Sequence, residues 1–260
     1  MGFLFPLMAE RGSKMRKIAK KKDAVSVLVV IPHQSRKTPA SFKRRLLVSK
    51  DEFNHYDELT YDKDADRIIT RKGRIIYKAW LARIYCDVER YNYNELNEKS
   101  HKPALNRHAY DGTELIKYDP RLQKKGLRYI FAYNKRFSQI MQKLILKGKK
   151  IILVNCHTYT TPYASHKHKP PYPDVCLGYE IDYRFVTPTA IKEIEDYLAS
   201  LGLSVGHNHP YYGVSVPNEI YLNKFYDNNI RAIMLEINRN IDLSKYDFNP
   251  VIDILRKTFQ

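Results

Sequence analysis

The chain has 260 residues, 43% of them hydrophobic, and its 45 Lys and Arg against 28 Asp and Glu give a formal net charge of +17. This length allows a buried core in one large domain or two small ones, and the apolar content excludes a disordered chain. No apolar run reaches the roughly eighteen residues of a membrane span, and three irregularly spaced cysteines exclude a disulfide framework, so a cytoplasmic protein without a membrane partner is expected.

A basic arm precedes the predicted fold. Residues 1–24 carry seven Lys and Arg against two acidic residues, so they are predicted to be a mobile lead-in to a single domain over residues 25–260. The domain opens with Val25–Ile31, a valine-rich run typical of a strand that is buried on both faces, and Pro32 ends it.

Further elements follow in an alternating order. We expect a short helix around Asp62–Thr70, a strand at Ala79–Val88 and, over the polar residues 91–120, a long loop that covers a site. Apolar residues then recur at helical spacing from Tyr129 to Ile145, and Gly148 supplies the stop. The last predicted elements are strand Lys150–Asn155, helix Thr187–Ser200, strand Leu203–Val205, helix Pro217–Asn228, strand Arg231–Ile237 and helix Asn249–Phe259. This alternation predicts a three-layer α/β fold with a mostly parallel central sheet and helices on both faces.

Polar residues stand where the predicted strands end. They are His33, Asp87 with Arg90, His157, and Glu236 inside the late strand. Ligands of open α/β sheets bind beyond these strand ends. Two imidazoles and a carboxylate are the usual protein ligands of an open catalytic zinc site, beside which another carboxylate can act as general base. The alternative is that each histidine bonds a nearby backbone group and that Glu236 pairs with a neighbouring arginine.

Six short motifs occur in order along most of the chain. They are Val29-Val30-Ile31-Pro32-His33 with Ser35 and Pro39, Asp62 with Asp66-Arg67, Asp87-Val88-Glu89-Arg90, Cys156-His157, Pro173-Asp174-Val175-Cys176-Leu177-Gly178, and Leu235-Glu236-Ile237-Asn238-Arg239. This series resembles the N-formylglutamate amidohydrolase family. The resemblance implies a zinc-exopeptidase-like α/β fold. It also implies hydrolysis of the amide bond in a small acidic N-acyl amino acid by water that zinc, or another divalent metal, activates.

The resemblance also implies roles for single residues. His33, Asp62 and His157 are the implied metal ligands, and Glu236 is the implied general base. Asp87 and Asp174 would orient a ligand histidine. The implied substrate contacts are Arg90, Asn238 and Arg239, and the fork of Arg90 would hold a substrate carboxylate through two parallel hydrogen bonds.

The chain departs from the family pattern at three positions. Asn155 stands where the family commonly has an aspartate, and Asn134 and Ser138 stand where a family helix carries histidines. The substrate therefore stays open between an N-formylglutamate-like molecule and a peptide or cell-wall fragment cleaved at the same site. A basic nucleic-acid-binding protein on a decayed hydrolase scaffold is a third interpretation. The charge favours it, but no recognised nucleic-acid-binding motif supports it, so nucleic acid is not the preferred partner.

Overall fold

One six-stranded sheet forms the centre of the computed structural model, which describes residues 25–90 and 104–259. The strands are β1 (Val25–Ile31), β2 (Ile75–Lys78), β3 (Lys150–Tyr159), β4 (Val175–Gly178), β5 (Val205–His207) and β6 (Ile230–Asn238). Their order across the sheet is β2-β1-β3-β6-β4-β5. The first four strands in that order run parallel, whereas β4 is antiparallel to β6 and parallel to β5. The prediction of a mostly parallel α/β sheet is confirmed.

Helices pack on both faces of this sheet. They are α1 (Ala40–Lys43), α2 (Lys50–Thr60), α3 (Pro120–Leu146), α4 (Thr161–Ser165), α5 (Pro188–Ser200), α6 (Asn218–Tyr221) and α7 (Pro250–Lys257). The helix predicted from Tyr129 begins nine residues earlier, because the Asp119 side chain caps it and Pro120 occupies its first turn. No helix in the described ranges has an apolar stretch long enough to cross a membrane.

Alternate residues of the central strands point to opposite cores. Leu28 and Leu153 face one core, which contains residues of α2 and α3. Their neighbours Val29 and Val154 face the other core, which contains residues of α5 and α7. This period of two accounts for the continuous apolar runs in β1 and β3, since a strand covered on both faces needs no polar side. The three predicted layers are therefore present.

The helix predicted around Asp62–Thr70 is wrong. That segment contains only the 3₁₀ turn Ala65–Arg67, and the helix is α2, which ends at Thr60. The side chain of Ser49 accepts from the backbone of Glu52, and the Glu52 carboxylate accepts from the backbone of Ser49. This capping box was readable as Ser-x-x-Glu, but the many charged residues around it obscured the signal.

The strand predicted at Ala79–Val88 is also wrong. The strand β2 ends at Lys78, and after the backbone of Ala79 donates to Ile31 the chain turns away from the sheet. The apolar residues of this segment, such as Ile84 and Val88, are buried in the core without being part of a strand. Burial therefore explains the apolar character of these residues. Because the segment consists of turns, a polar residue between them such as Asp87 can point away from the core.

Smaller differences affect boundaries. Strand β3 extends to Tyr159, so His157 lies inside it, and β5 begins two residues later than predicted. The segment predicted as helix Pro217–Asn228 is the short helix α6 followed by a 3₁₀ turn. The predicted arm at residues 1–24 and residues 91–103 of the predicted loop lie outside the described residues.

Candidate active site

Four buried polar residues meet at the carboxyl edge of β1, β3 and β6. His33 follows β1, and His157 lies directly opposite Glu236 in the register of β3 and β6. Asp62 follows α2, and its backbone N–H donates to the His33 carbonyl at 3.0 Å. Each of the four is at most 5% exposed. The sheet topology thus joins residues that are about two hundred positions apart in the sequence.

Asp62 lies between the two imidazoles. Its Oδ2 atom is 3.5 Å from Nδ1 of His33 and 2.9 Å from Nδ1 of His157. Glu236 lies on the same side, with Oε2 at 4.0 Å from Nδ1 of His157. The Nδ1 side of this pair of histidines therefore faces two carboxylates.

Two other carboxylates face the Nε2 atoms. Asp87 Oδ1 forms a 2.9 Å hydrogen bond with Nε2 of His33. Glu89 lies 3.5 Å from the same nitrogen and 3.6 Å from Nε2 of His157. The sequence motif contained Glu89, but nothing local distinguished its role from that of a solvated charge.

The donor set fits a metal ion. His33 Nδ1, Asp62 Oδ2 and His157 Nε2 are buried without a hydrogen-bond partner among the described residues. Buried polar atoms are costly in that state, and a cation on the Nδ1 side would satisfy His33 Nδ1 and Asp62 Oδ2, whereas His157 Nε2 faces Glu89 at 3.6 Å. Within the same described ranges, His33, Glu89 and His157 are the one set of three candidate ligands whose atoms all lie within 4.8 Å of one another. A buried group of histidines and carboxylates that suits a divalent metal is thus present.

Burial and neighbouring charges set the ionisation of the site. Burial and Arg83 disfavour a charge on His33, but Asp87 and Asp62 outweigh them and raise the pKa of His33 to about 9. Burial opposes the charge on Asp62 as well, yet the two imidazoles hold the pKa of that carboxyl below its ordinary value. Burial raises the pKa of Glu236, against the opposing effect of His157. Glu236 is consequently the carboxyl group best suited to accept a proton near neutral pH.

A cavity of about 200 Å³ opens beside these residues. It is lined by Tyr56, Thr60, Arg83, Ile84, Asp87, Arg90, Asn106, His108, Ala109, Tyr110, Tyr163 and Lys167. Asp87 is thus both a wall of the cavity and a partner of His33. Segment 104–110, part of the predicted covering loop, contributes several of these walls.

Arg83 and Arg90 bring positive charge to the cavity. Arg83 donates from Nε to Oδ2 of Asp87 at 3.1 Å, and Arg90 donates from Nη2 to Oδ1 of Asn106 at 2.6 Å. Arg90 was predicted as a substrate contact. Arg83 was missed because it falls in the middle of the segment interpreted as a strand, away from the strand end at which site residues were expected.

Two tyrosine hydroxyls are also buried without a hydrogen-bond partner in the described part of the chain. They belong to Tyr133 on α3 and to Tyr211 in the loop after β5. Burial raises the pKa of both phenols, and the nearby charge of Glu89 contributes for Tyr133 and that of Glu236 for Tyr211. Both hydroxyls stay protonated and are available as hydrogen-bond donors.

Three predicted site residues are engaged elsewhere. Arg239 donates to the carbonyl and carboxylate of Glu58 at 2.7 and 2.8 Å. Asn238 accepts from the backbone of Asn240, and Asp174 accepts from the backbone and hydroxyl of Ser204. Asp174 thus fixes the start of β4 and does not contact either histidine. Asn238 and Arg239 line a different cavity of about 220 Å³.

The positions that depart from the family pattern have their own partners. Asn134 donates to the carbonyls of Val88 and Ile130, and Ser138 donates to Glu219 at 2.5 Å. Asn155 accepts from the backbone of Ser215 at 3.0 Å. Each side chain stabilises a neighbouring segment, and Asn134 in particular holds α3 against the turn that carries Asp87 and Glu89.

Comparisons with known proteins show the family and support the fold. The family model described as N-formylglutamate amidohydrolase matches residues 25–241. A crystal structure of N-formylglutamate amidohydrolase from Ralstonia eutropha JMP134 is similar, with a TM-score of 0.66, 17% identity and 92% of each chain covered. A gene product of Agrobacterium tumefaciens is similar with a TM-score of 0.62 and 16% identity, over 90% of this chain and 88% of that one. At these identities the two structures support the fold alone. No curated protein sequence matches the chain.

Proposed function

The chain belongs to the N-formylglutamate amidohydrolase family, a family of hydrolases of amide bonds, and from that premise we propose that it is a divalent-metal-dependent amidohydrolase of small, carboxylate-bearing N-acyl amino acids. The observation that carries the proposal is the buried group of His33, Asp62 and His157 beside Glu236, in which His33 Nδ1 and Asp62 Oδ2 have no hydrogen-bond partner among the described residues. Zinc is the first candidate ion, because it suits two imidazoles and a carboxylate.

We assign the metal to the Nδ1 atoms of His33 and His157 and to Asp62. A ligand histidine generally donates its other ring N–H to a carboxylate, and Asp87 occupies Nε2 of His33 in this way. Glu89 faces Nε2 of His157 at 3.6 Å and would be the corresponding partner there. A metal bound by Glu89 instead of Asp62 would need His33 Nε2 as a ligand, and that atom is already hydrogen-bonded to Asp87. Glu236, the proposed base, also lies near Nδ1 of His157, so a metal on the Nδ1 side would be next to it.

Such an ion, when bound, supplies a Lewis acid that lowers the pKa of water and polarises a carbonyl group. Glu236 would take one proton from the attacking water and deliver it to the amide nitrogen that leaves. Its raised pKa, caused mainly by burial, suits both transfers. The water oxygen forms the new bond to the acyl carbon, and the carbon–nitrogen bond breaks.

The cationic cavity supports a substrate with a carboxylate. Arg90 would bind that group, and Arg83, which touches Asp87 beside the histidines, would stabilise the negative charge that develops on the acyl oxygen. Asn134 and Ser138, which stand where the family pattern has histidines, line a different cavity of about 280 Å³ beside α3. For this reason N-formylglutamate itself is one member of the proposed substrate class, and a peptide or cell-wall amide at the same site is the alternative.

Metal content is the first test of this function. Full-length protein purified without an affinity tag or chelator is expected to contain about one zinc or other divalent ion per chain, and the His33→Ala/His157→Ala variant is expected to contain none. Elemental analysis measures both. The same preparations are assayed with N-formylglutamate, other N-acyl amino acids and short peptides by the release of free amine.

The results separate the competing functions. A wild-type protein that stays metal-free after zinc is supplied would rule out the metallohydrolase. Loaded protein that cleaves peptides and leaves every N-acyl amino acid intact would replace the proposed substrate class with that of a metallopeptidase.

Arg83→Met is expected to lower kcat by about 100-fold without changing the metal content. The reason is that the guanidinium of Arg83 binds Asp87, the partner of His33, and the variant would lose its stabilising effect on the charge that develops on the acyl oxygen. Steady-state kinetics on the best substrate measures kcat and KM separately. Arg90→Met is the matched control, and its main effect is expected on KM, because Arg90 binds a part of the substrate that does not react. A rise in KM alone for Arg83→Met would show that Arg83 only binds the substrate.

A further inference from the structure

The solvent-facing side of α3 is cationic along most of its length. The 27 residues of the helix include no Asp or Glu. Seven of them are exposed basic residues, Arg121, Lys124, Lys125, Arg128, Lys135, Arg136 and Lys143. We call this set the α3 stripe.

The stripe is narrow and straight. With 3.6 residues per turn, its seven positions fall within about 120° of the helix circumference. The rise of about 1.5 Å per residue spreads them over about 33 Å, from Arg121 to Lys143. The opposite side of α3 is the apolar one and packs in the core through residues such as Tyr129 and Ile130. The amphipathic pattern of the helix therefore arranges these charges along one side, with gaps of about 10 Å after Arg128 and after Arg136.

Acidic residues do not neutralise the row. In the described ranges, no carboxylate lies within 4.0 Å of a stripe nitrogen, whereas basic residues elsewhere, such as Arg71 and Lys192, have such partners. Asp119 immediately precedes the helix, but it pairs with Arg45 at 2.7 Å and caps the helix end. The uncompensated charge of the stripe is consequently directed at solvent, where it attracts anions.

We propose that the α3 stripe binds the phosphate backbone of a nucleic acid duplex, at a face separate from the hydrolytic site. The row of about 33 Å matches about one turn of a B-form duplex. A single strand would require several aromatic platforms along the row, and of the four aromatic residues of α3 only Phe131 is exposed. A membrane surface would require an apolar face that can insert, and the apolar face of α3 is buried against the sheet. Lysine and arginine contacts to phosphates carry no base information, so binding is independent of sequence.

The test uses the full-length protein and a fluorescently labelled DNA duplex of about 20 base pairs, with salt varied from about 50 to about 200 mM. Fluorescence polarisation gives Kd at each salt concentration. The Lys125→Glu/Arg128→Glu/Lys143→Glu variant is expected to bind at least about tenfold more weakly, with a salt slope smaller by about three, because three phosphate contacts are lost. The control Lys72→Glu/Lys169→Glu/Lys224→Glu changes the net charge equally at exposed positions on other elements. It is expected to stay within about twofold of wild type.

Three outcomes would overturn the proposal. They are equal losses in the two triple variants, absence of duplex binding by the wild type at the lowest salt, and binding through the stripe to phosphatidylserine vesicles but not to the duplex. Circular dichroism checks the fold, and the corresponding triple Gln variant replaces the Glu variant if the latter does not fold. Metal content is measured in every variant and is expected to be unchanged, so failure here is distinguishable from failure of the hydrolase proposal.

Discussion

Glu236→Gln is expected to lower kcat by about 10³-fold while the metal content stays that of the wild type. The amide has nearly the shape of the carboxyl group but cannot accept the proton of the attacking water. Glu236 is not among the assigned metal ligands, so its substitution leaves them intact. The neutral amide also avoids the cost of burying a charge, which is the main cause of the raised pKa of Glu236, so the fold is expected to persist. Steady-state kinetics and elemental analysis on the same preparation measure the two effects.

Glu193→Gln is the control for this experiment. Glu193 lies on α5, where it interacts with Lys257 of α7 and contacts none of the site residues named above, and full activity is expected of this variant. If Glu236→Gln retained full activity, Glu236 would not be the base. Glu89, the partly buried carboxylate on the other side of the two histidines, would then be the next candidate.

The sequence predicts the centre of the fold well, because the central strands are specified locally. The runs Val25–Ile31 and Arg231–Ile237 are apolar on both faces, as strands between two helical layers must be. His33 and His157 were identifiable as site residues for the same reason, since each stands at or near the end of such a strand. The two histidines then lie close together because the carboxyl ends of neighbouring parallel strands are at the same edge of the sheet.

Residues outside the central strands were harder to predict. Arg83 and Glu89 owe their positions to turns, in a segment whose apolar content resembles that of a strand. The difference between a strand and turns shows only in the core contacts of Ile84 and Val88, which the sequence does not reveal. Arg239 shows the opposite case. The family resemblance implied that Arg239 contacts the substrate, and the structure places its guanidinium on Glu58 of the neighbouring α2. Pairings of this kind depend on tertiary contacts between distant segments, which a local pattern does not encode.

Asp62→Asn is expected to weaken metal binding more than Glu89→Gln does, and this difference tests which side of the histidines holds the ion. Both changes replace a carboxylate with an amide of the same shape. Asp62 lies 2.9 Å and 3.5 Å from the two Nδ1 atoms and is the assigned ligand, whereas Glu89 is assigned as a partner of Nε2 of His157. Loss of such an outer partner typically costs about 10- to 100-fold in metal affinity, and loss of a ligand should exceed that. Competition with a chelator of known zinc affinity measures each Kd.

The His33→Ala variant provides the scale for losing a ligand, and Asp62→Asn is expected to approach it. The reverse order, with Glu89→Gln near His33→Ala and Asp62→Asn within about 100-fold of wild type, would move the centre to the Nε2 side. In that case Asp62 would be the group that accepts hydrogen bonds from both Nδ1 atoms, which its position between the imidazoles also permits. The base would change as well, because Glu236 faces Nδ1 of His157 and would then lie behind that ring. The metal affinities of these variants and the kinetics of Glu236→Gln therefore test one geometry, and the proposed mechanism requires both results.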